Sequence, residues 1–180
     1  SSYRAGIELD GAYQLSKQWA LGGNIAFSQN KIAEFTEYID DYSVEEFQQE
    51  TFTYTDTDIA FSPNVVGSAI IEFQPTKNLS VNWFSKYVGR QFLDNTSNVD
   101  RSLDAFFTND LRISYSAQPR YFKGLEINLL INNIFNELYE PNGYTFSYFV
   151  PGGNGRELIT ENFYYPQAGT NFLLGLKLKF

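Results

Sequence analysis

Tyr3-Arg4-Ala5-Gly6-Ile7-Glu8-Leu9-Asp10-Gly11-Ala12-Tyr13-Gln14 alternates strictly. Its odd positions are Tyr3, Ala5, Ile7, Leu9, Gly11 and Tyr13, and its even positions are Arg4, Gly6, Glu8, Asp10, Ala12 and Gln14. A period of two marks a strand with one apolar and one polar face. The run lasts about ten residues, the length at which a tilted strand crosses a bilayer.

The pattern returns six more times. The apolar rows are Trp19 to Phe27, Val65 to Phe73, Leu79 to Tyr87, Phe107 to Tyr115, Leu125 to Phe135 and Phe172 to Phe180, with Asn109 and Asn133 as polar intruders. Charges within these strands (Arg4, Glu8, Asp10, Glu72, Lys86, Arg90, Asp110, Arg112, Glu126, Lys177 and Lys179) all share the polar parity. An Arg or Lys facing lipid at mid-depth costs about 2–4 kcal/mol, so a membrane wall excludes charge from one face. Aromatics sit near the row ends, where amphipathic rings prefer the headgroup level. The expected fold is all-β: a transmembrane, antiparallel, up-and-down β-barrel wall of seven strands, with residues 1–180 belonging to one barrel domain.

Composition agrees and narrows the chemistry. No stretch of about 18 apolar residues exists, so no transmembrane helix is available, yet 18% of residues are aromatic. A soluble β-sandwich would share that composition; the strand length and the loops argue for the barrel. Cys is absent, which removes disulfides and thiolate metal sites. His is absent as well, which removes the commonest general base near neutral pH, and no catalytic residue is expected. A formal charge of −8 argues against nucleic acid as a partner.

Connections alternate in length. Leu15 to Gln18, Gln74 to Asn78 and Ser116 to Gly124 are short or moderate, whereas Asn30 to Asn64, Gln91 to Phe106 and Asn136 to Asn171 are long. Outer-membrane barrels have short periplasmic turns and long extracellular loops, so the last strand should end in the periplasm. That strand, with Phe172, Leu174, Leu176, Leu178 and the final Phe180, has the form of a membrane-assembly signal. Bacterial single-chain barrels have at least about eight strands. Seven strands leave open edges, and the expectation is the C-terminal part of a larger barrel whose earlier strands lie outside this sequence.

Two loops are candidate binding regions. Asn30 to Ser62 holds Glu34, Glu37, Asp40, Asp41, Glu45, Glu46, Glu50, Asp56 and Asp58 against Lys31 alone. Such a loop could be a solvated face, a docking site for a basic partner or a Ca²⁺ site, with Asp40, Asp41, Asp56 and Asp58 as the candidate ligands. The second region holds Tyr139, Tyr144, Phe146, Tyr148 and Phe149, which could stack on a sugar, a corrin or an aromatic siderophore, or pack the loop on its neighbours. Pro151-Gly152-Gly153-Asn154-Gly155 reads as a turn, without the strand-to-helix context of a phosphate cradle. The inward charges Arg4, Glu8, Asp10, Asp110, Arg112 and Glu126 are expected to form ion pairs within the wall.

Three stretches resemble TonB-dependent outer-membrane receptors, especially those of the Bacteroides group. Asn133-Ile134-Phe135-Asn136-Glu137-Leu138-Tyr139 is similar to the element before that family's last extracellular loop. Tyr164-Tyr165-Pro166-Gln167-Ala168 with Asn171-Phe172 and Gly175 to Phe180 is similar to its final strand. Tyr87 to Thr96 is similar to a late strand and loop. Gly169-Thr170 departs from the small-residue-plus-Arg pair often found there. Physically, the first stretch marks a strand-to-loop boundary, since Pro141 and Gly143 break the ladder.

The resemblance implies a barrel of about 22 strands in the bacterial outer membrane, an N-terminal plug, and a TonB-contacting segment upstream. It implies uptake of a scarce, large nutrient (ferric siderophore, cobalamin or glycan) without cofactor, with membrane lipid around the wall and a surface lipoprotein as a candidate partner over the loops. The alternative function is a passive, porin-like channel.

Overall fold

A computed structural model describes residues 1–121, 123–153 and 155–180. The described residues form twelve strands and no helix: β1 (Ser2–Gln14), β2 (Trp19–Asp41), β3 (Gln48–Asp58), β4 (Val65–Thr76), β5 (Leu79–Val88), β6 (Gln91–Phe92), β7 (Ser102–Leu103), β8 (Phe106–Ala117), β9 (Gly124–Asn132), β10 (Gly143–Gly152), β11 (Gly155–Tyr164) and β12 (Asn171–Lys179). The seven expected wall strands are β1, β2, β4, β5, β8, β9 and β12, antiparallel neighbours in that order.

The register tests the face assignment independently of any one strand. Cross-strand partners trace a row from Tyr13 to Leu21, Ile71, Trp83, Leu111, Ile131 and Phe172. Every wall strand contributes one residue, and every one is apolar. The row starts beside a short turn in β1 and ends beside a long loop in β12, the slant that tilted, staggered barrel strands produce. Ile7, Ile25, Ile71 and Leu176 are 67%, 36%, 41% and 65% exposed, so these residues cover the outside of the sheet and are no protein core. The other face curls inward around a trough of about 690 Å³ lined by Asp10, Asn24, Ser68, Lys86, Asp110 and Arg112.

Aromatics fall into two levels. Tyr13, Trp19, Phe73 and Tyr115 lie at the short-turn end, where Trp19 stacks on its ladder partner Phe73 at 4.2 Å. Tyr3, Phe27, Tyr87, Phe107 and Phe172 lie at the other end, with Tyr87 and Phe107 directly paired. The polar intruder Asn109 is held through its side-chain oxygen. Asn109 Oδ1 accepts from Ser85 Oγ at 2.7 Å and Trp83 Nε1 at 3.1 Å, which explains how one intruder is tolerated.

The short turns close through side-chain caps. Ser16 Oγ accepts the Gln18 and Trp19 amides, and Thr76 Oγ1 accepts those of Asn78 and Leu79. Pro75 has no amide to donate, and the β4–β5 ladder shifts register there. The outer edges of β1 and β12 carry no strand among the described residues. The sheet is therefore an arc of a barrel. In hydrocarbon, unpaired edge groups cost several kcal/mol each, so such an arc is stable only as part of a larger closed wall.

The long connections differ from the expectation of loops. β2 runs on well past its last partner in β1 and pairs with β3, while β10 and β11 form a second hairpin. Thr51-Phe52-Thr53-Tyr54-Thr55 and Tyr144-Thr145-Phe146-Ser147-Tyr148 explain this, because β-branched and aromatic residues favour extended ribbons. The β10–β11 hairpin leaves between β9 and β12, passes the ends of β8, β5 and β4, and joins β2 in parallel at Tyr148–Asp40 and Phe149–Asp41. Asn154, in the stretch Pro151 to Gly155 read from the sequence as a turn, lies outside the described residues.

Candidate functional site

Three connections meet at the end of the wall opposite the short turns: the β2–β3 hairpin, the segment 93–105 between β5 and β8, and the β10–β11 hairpin. Arg101 joins all three. Its Nη1 bonds Glu37 at 2.6 Å and Asp94 at 2.9 Å, and its Nη2 donates to Ser147 Oγ at 2.8 Å. Arg101 is only 4% exposed. Burial disfavours its charge, but hydrogen bonds to Asp94 and Glu37 more than offset this and raise its pKa, so it stays cationic. Tyr54 donates to the second Glu37 oxygen at 2.9 Å; burial, followed by that carboxylate, pushes the phenol pKa up.

A second clamp lies nearby. Arg156 on β11 bonds Asp41 at 2.8 Å and Glu50 at 2.6 Å, and its guanidinium lies 4.3 Å from the centre of the Phe149 ring. Asp41 is held below the ordinary carboxylate range, mainly by the Ser43 hydroxyl and amide, with Arg156 adding to the effect against the cost of burial. Lys31 pairs with Asp58 at 3.3 Å. The acidic hairpin is thus partly neutralised by its own Lys31 and by Arg101 and Arg156 from the other connections. Among the described residues Glu34, Glu45, Glu46 and Asp56 make no ion pair.

The five aromatic candidates divide. Tyr144, Phe146 and Tyr148 occupy one face of β10, with successive ring centres 6.4 and 5.8 Å apart. Phe163 and Tyr165, which the sequence reading missed, extend this strip to Tyr144 at 4.8 and 6.2 Å. Cross-strand register would have revealed Phe163, since it faces Tyr144 directly. Phe149 points to the opposite face, buried against Phe52 and Arg156. Tyr139 is elsewhere, stacked on Phe106 at 4.4 Å; burial, then Asp110, pushes its phenol up.

Between β10 and the outer part of β2 runs a groove of about 510 Å³. Phe35, Tyr38, Tyr42, Phe146 and Tyr148 supply aromatic walls, and Glu37, Asp40, Asp94, Thr145 and Ser147 supply polar atoms. Three of those polar residues (Glu37, Asp94 and Ser147) are the partners of Arg101, so the buried guanidinium holds the groove together from behind. Thr145 Oγ1 and Arg101 Nε are buried without a partner.

The candidate calcium ligands are not brought together. Asp40 and Asp41 lie at one end of the β2–β3 ladder, opposite Gln49 and Gln48, and Asp58 lies at the other, opposite Lys31, with Asp56 beside it. Among the described residues no group of three or more acidic side chains is arranged around one ion position.

The wall charges depart from the expected ion pairs. Arg4 donates to Asn30 at 3.4 Å, Asp110 accepts the Asn133 amide at 2.8 Å, and Arg112 lies over Phe84 at 5.2 Å. Glu8 and Asp10 form no ion pair among the described residues. Only Glu126 is paired, with Lys179 at 2.5 Å and Lys177 at 3.7 Å. The trough is open to solvent, so its charges need no protein partner. Phe172, Leu174 and Leu176 lie on the exposed outer face with Leu178 and Phe180, the side opposite these lysines.

Asn133 forms a knot where β9 ends. It has φ 49° and Asn136 has φ 55°, left-handed conformations that Asn tolerates better than most residues. The Asn133 side chain accepts the Glu137 amide and donates to the Glu137 carbonyl, both at 2.9 Å, while its own carbonyl accepts Thr170 Oγ1 at 2.7 Å. The motif is a strand stop tied to the start of β12.

Comparisons with known proteins follow the same lines. The family described as TonB dependent receptor-like, β-barrel, matches residues 1–134. No curated protein matches the chain. Among solved structures, the siderophore receptor PiuA from Acinetobacter baumannii matches with a TM-score of 0.68 at 12% identity, over 97% of this chain and 21% of that one. The ferric-catecholate import receptor Fiu of E. coli K12, in its open form, matches with a TM-score of 0.59 at 16% identity, over 95% and 20%. The ferric yersiniabactin uptake receptor FyuA from Yersinia pestis gives 0.53 at 14%, over 97% and 23%. These likenesses concern the fold. The chain spans about a fifth of the length of the structures it matches.

Proposed function

The chain belongs to the TonB-dependent receptor-like β-barrel family, and on that premise we propose that it supplies wall and outer loops to a transporter that imports a scarce, large nutrient across the bacterial outer membrane. Energy comes from TonB acting on a plug domain inside the completed barrel. The β12 end faces the periplasm, and the three clamped connections face outward and receive the substrate. This portion performs no bond chemistry. The observation that carries the reading is the apolar row from Tyr13 to Phe172: seven strands in register with grease on one side and a wet trough on the other. Ferric siderophores, cobalamin and glycans are the substrate classes in play, and a surface lipoprotein over the loops is a candidate partner.

The outer connections support substrate reading because they are braced by Arg101 and Arg156 and still expose Tyr144 and Phe146, at 44% and 45%. The test uses cells making the full-length protein. Growth on the imported nutrient as sole supply should require both this protein and TonB. Growth that persists without TonB would overturn energised transport and favour a passive channel.

A further inference from the structure

We propose that the short-turn rim of the wall binds anionic phospholipid headgroups, those of the periplasmic leaflet. The choice of leaflet rests on the transporter orientation, with β12 ending in the periplasm. The two ends of the sheet differ in charge and in how that charge is used. The three long connections hold sixteen acids and three cations, and each of those cations, Lys31, Arg101 and Arg156, is paired with an acid. The short turns 15–18, 74–78 and 116–124 hold four cations, Lys17, Lys77, Arg120 and Lys123, and no acid. All four are exposed, and among the described residues none forms an ion pair. The nearest wall acids do not neutralise them. Glu72 and Glu126 lie on the inner face, and Glu126 is already held by Lys177 and Lys179.

The turns form one continuous rim. The Gln18 side chain donates to the Pro75 carbonyl at 3.0 Å, and the Gln74 amide donates to the Gln18 carbonyl at 2.8 Å. The Asn78 side chain donates to the Ser116 carbonyl at 2.6 Å, and the Ser116 amide returns a bond to Asn78 at 2.8 Å. Each turn carries its cation within a few residues of the outward aromatics Trp19, Phe73 and Tyr115, which mark the headgroup level. Long basic side chains lay their stems along apolar surface and lift the charge to the phosphates. A cation near an anionic lipid surface favours the bound headgroup, and the attraction fades within a Debye length. The opposite end would repel the same headgroups, because its excess charge is acidic.

The experiment uses the full-length protein reconstituted in vesicles of equal phosphatidylglycerol and phosphatidylcholine. The protein is extracted in mild detergent, and the lipids that stay with it are counted by mass spectrometry. The parent should retain phosphatidylglycerol about fivefold over phosphatidylcholine, the size expected for one cation per headgroup. The combined variant Lys17→Gln, Lys77→Gln, Arg120→Gln, Lys123→Gln should lose most of that preference, and high salt should weaken it in the parent. Lys177→Gln with Lys179→Gln, on the inner face, should keep it. The heat-resistant form on gels confirms that each variant is folded. Equal retention of the two lipids by the parent, or an undiminished preference in the fourfold variant, would overturn the inference and leave TonB-dependent growth untouched. Growth without TonB would remove energised transport and leave the lipid preference standing. Labelling of Lys17→Cys in intact cells by a membrane-impermeant maleimide would place the rim outside and overturn the choice of leaflet.

Discussion

Arg101 and Glu37 are 64 residues apart in sequence and 2.6 Å apart in space. That ion pair fastens the segment after β5 to the far end of β2, and the same guanidinium reaches Ser147 on β10. Three connections that would otherwise move separately become one body. Arg101→Met should leave the wall intact and loosen all three. Losing one partner of a buried pair costs about 3–5 kcal/mol; the partial exposure of Glu37 and Asp94, at 15% and 21%, places the effect at the low end of that range. Hydrogen exchange should accelerate in residues 35–41, 93–103 and 143–149 while β4, β5 and β8 keep their protection. Loosening confined to residues 93–103 would show that Arg101 does not couple the hairpins.

The outer face gives a sharper contrast between neighbours. Leu176 is 65% exposed on the apolar side, whereas Lys177 faces Glu126 across the ladder at 3.7 Å. Leu176→Arg puts a cation into lipid at about 2–4 kcal/mol, and Lys177→Leu removes one solvated charge at little cost. Membrane assembly of the full-length protein, read as the fraction reaching the heat-resistant folded form, should fall strongly for the first and hardly for the second. The reverse order would invert the face assignment.

The wall was legible in the sequence because its signal is local. Period-two alternation fixes which side chains share a face, and the turn residues Ser16 and Thr76 sit where the sequence places the reversals. The outer connections were legible in composition and illegible in shape. Attention to nine acids concealed the alternation Thr51 to Thr55, which makes β3, and no local rule pairs Glu37 with Arg101 or Asp41 with Arg156. Those contacts depend on a hairpin crossing several strand ends to reach β2, a long-range event that leaves no trace in spacing. The aromatic candidates divide for a related reason: Phe149 is one residue from Tyr148, and in a strand that places it on the other face.

Asn133 offers a stability test. Its side chain closes a ring with Glu137, its amide and carbonyl bind Asp110 and Thr170, and its φ of 49° is left-handed. Asn133→Ala loses the side-chain bonds and fits the backbone poorly. The expected cost is about 2–3 kcal/mol, combining unsatisfied buried groups with an unfavourable φ. Urea unfolding in detergent should show the midpoint lowered, while the fraction of full-length protein reaching the heat-resistant folded form at moderate temperature changes little. Asn133→Gly, free of the φ penalty, should be the milder of the two; an Ala variant as stable as the parent would mean the knot is incidental.

Acid should act first on the contact between β2 and β10. Asp41 accepts from the Ser43 amide at 2.8 Å and hydroxyl at 2.5 Å, and from Arg156 at 2.8 Å. These hold its pKa below the ordinary carboxylate value, the Ser43 bonds most strongly. A depressed folded-state pKa stabilises the folded form above the unfolded pKa, about 3.9 for Asp. That contribution disappears as pH falls through the lower folded value. The junction at Phe149–Asp41 should therefore be constant from neutral pH down to about 4 and loosen below it, seen as faster exchange of the Tyr42 amide, which donates to the Phe149 carbonyl at 2.9 Å. Asp41→Asn keeps an acceptor for Ser43 but removes the titrating charge, so its junction should be weaker at neutral pH and insensitive to acid over that interval. An unchanged acid response in Asp41→Asn would show that Asp41 is not the group through which acid loosens the junction.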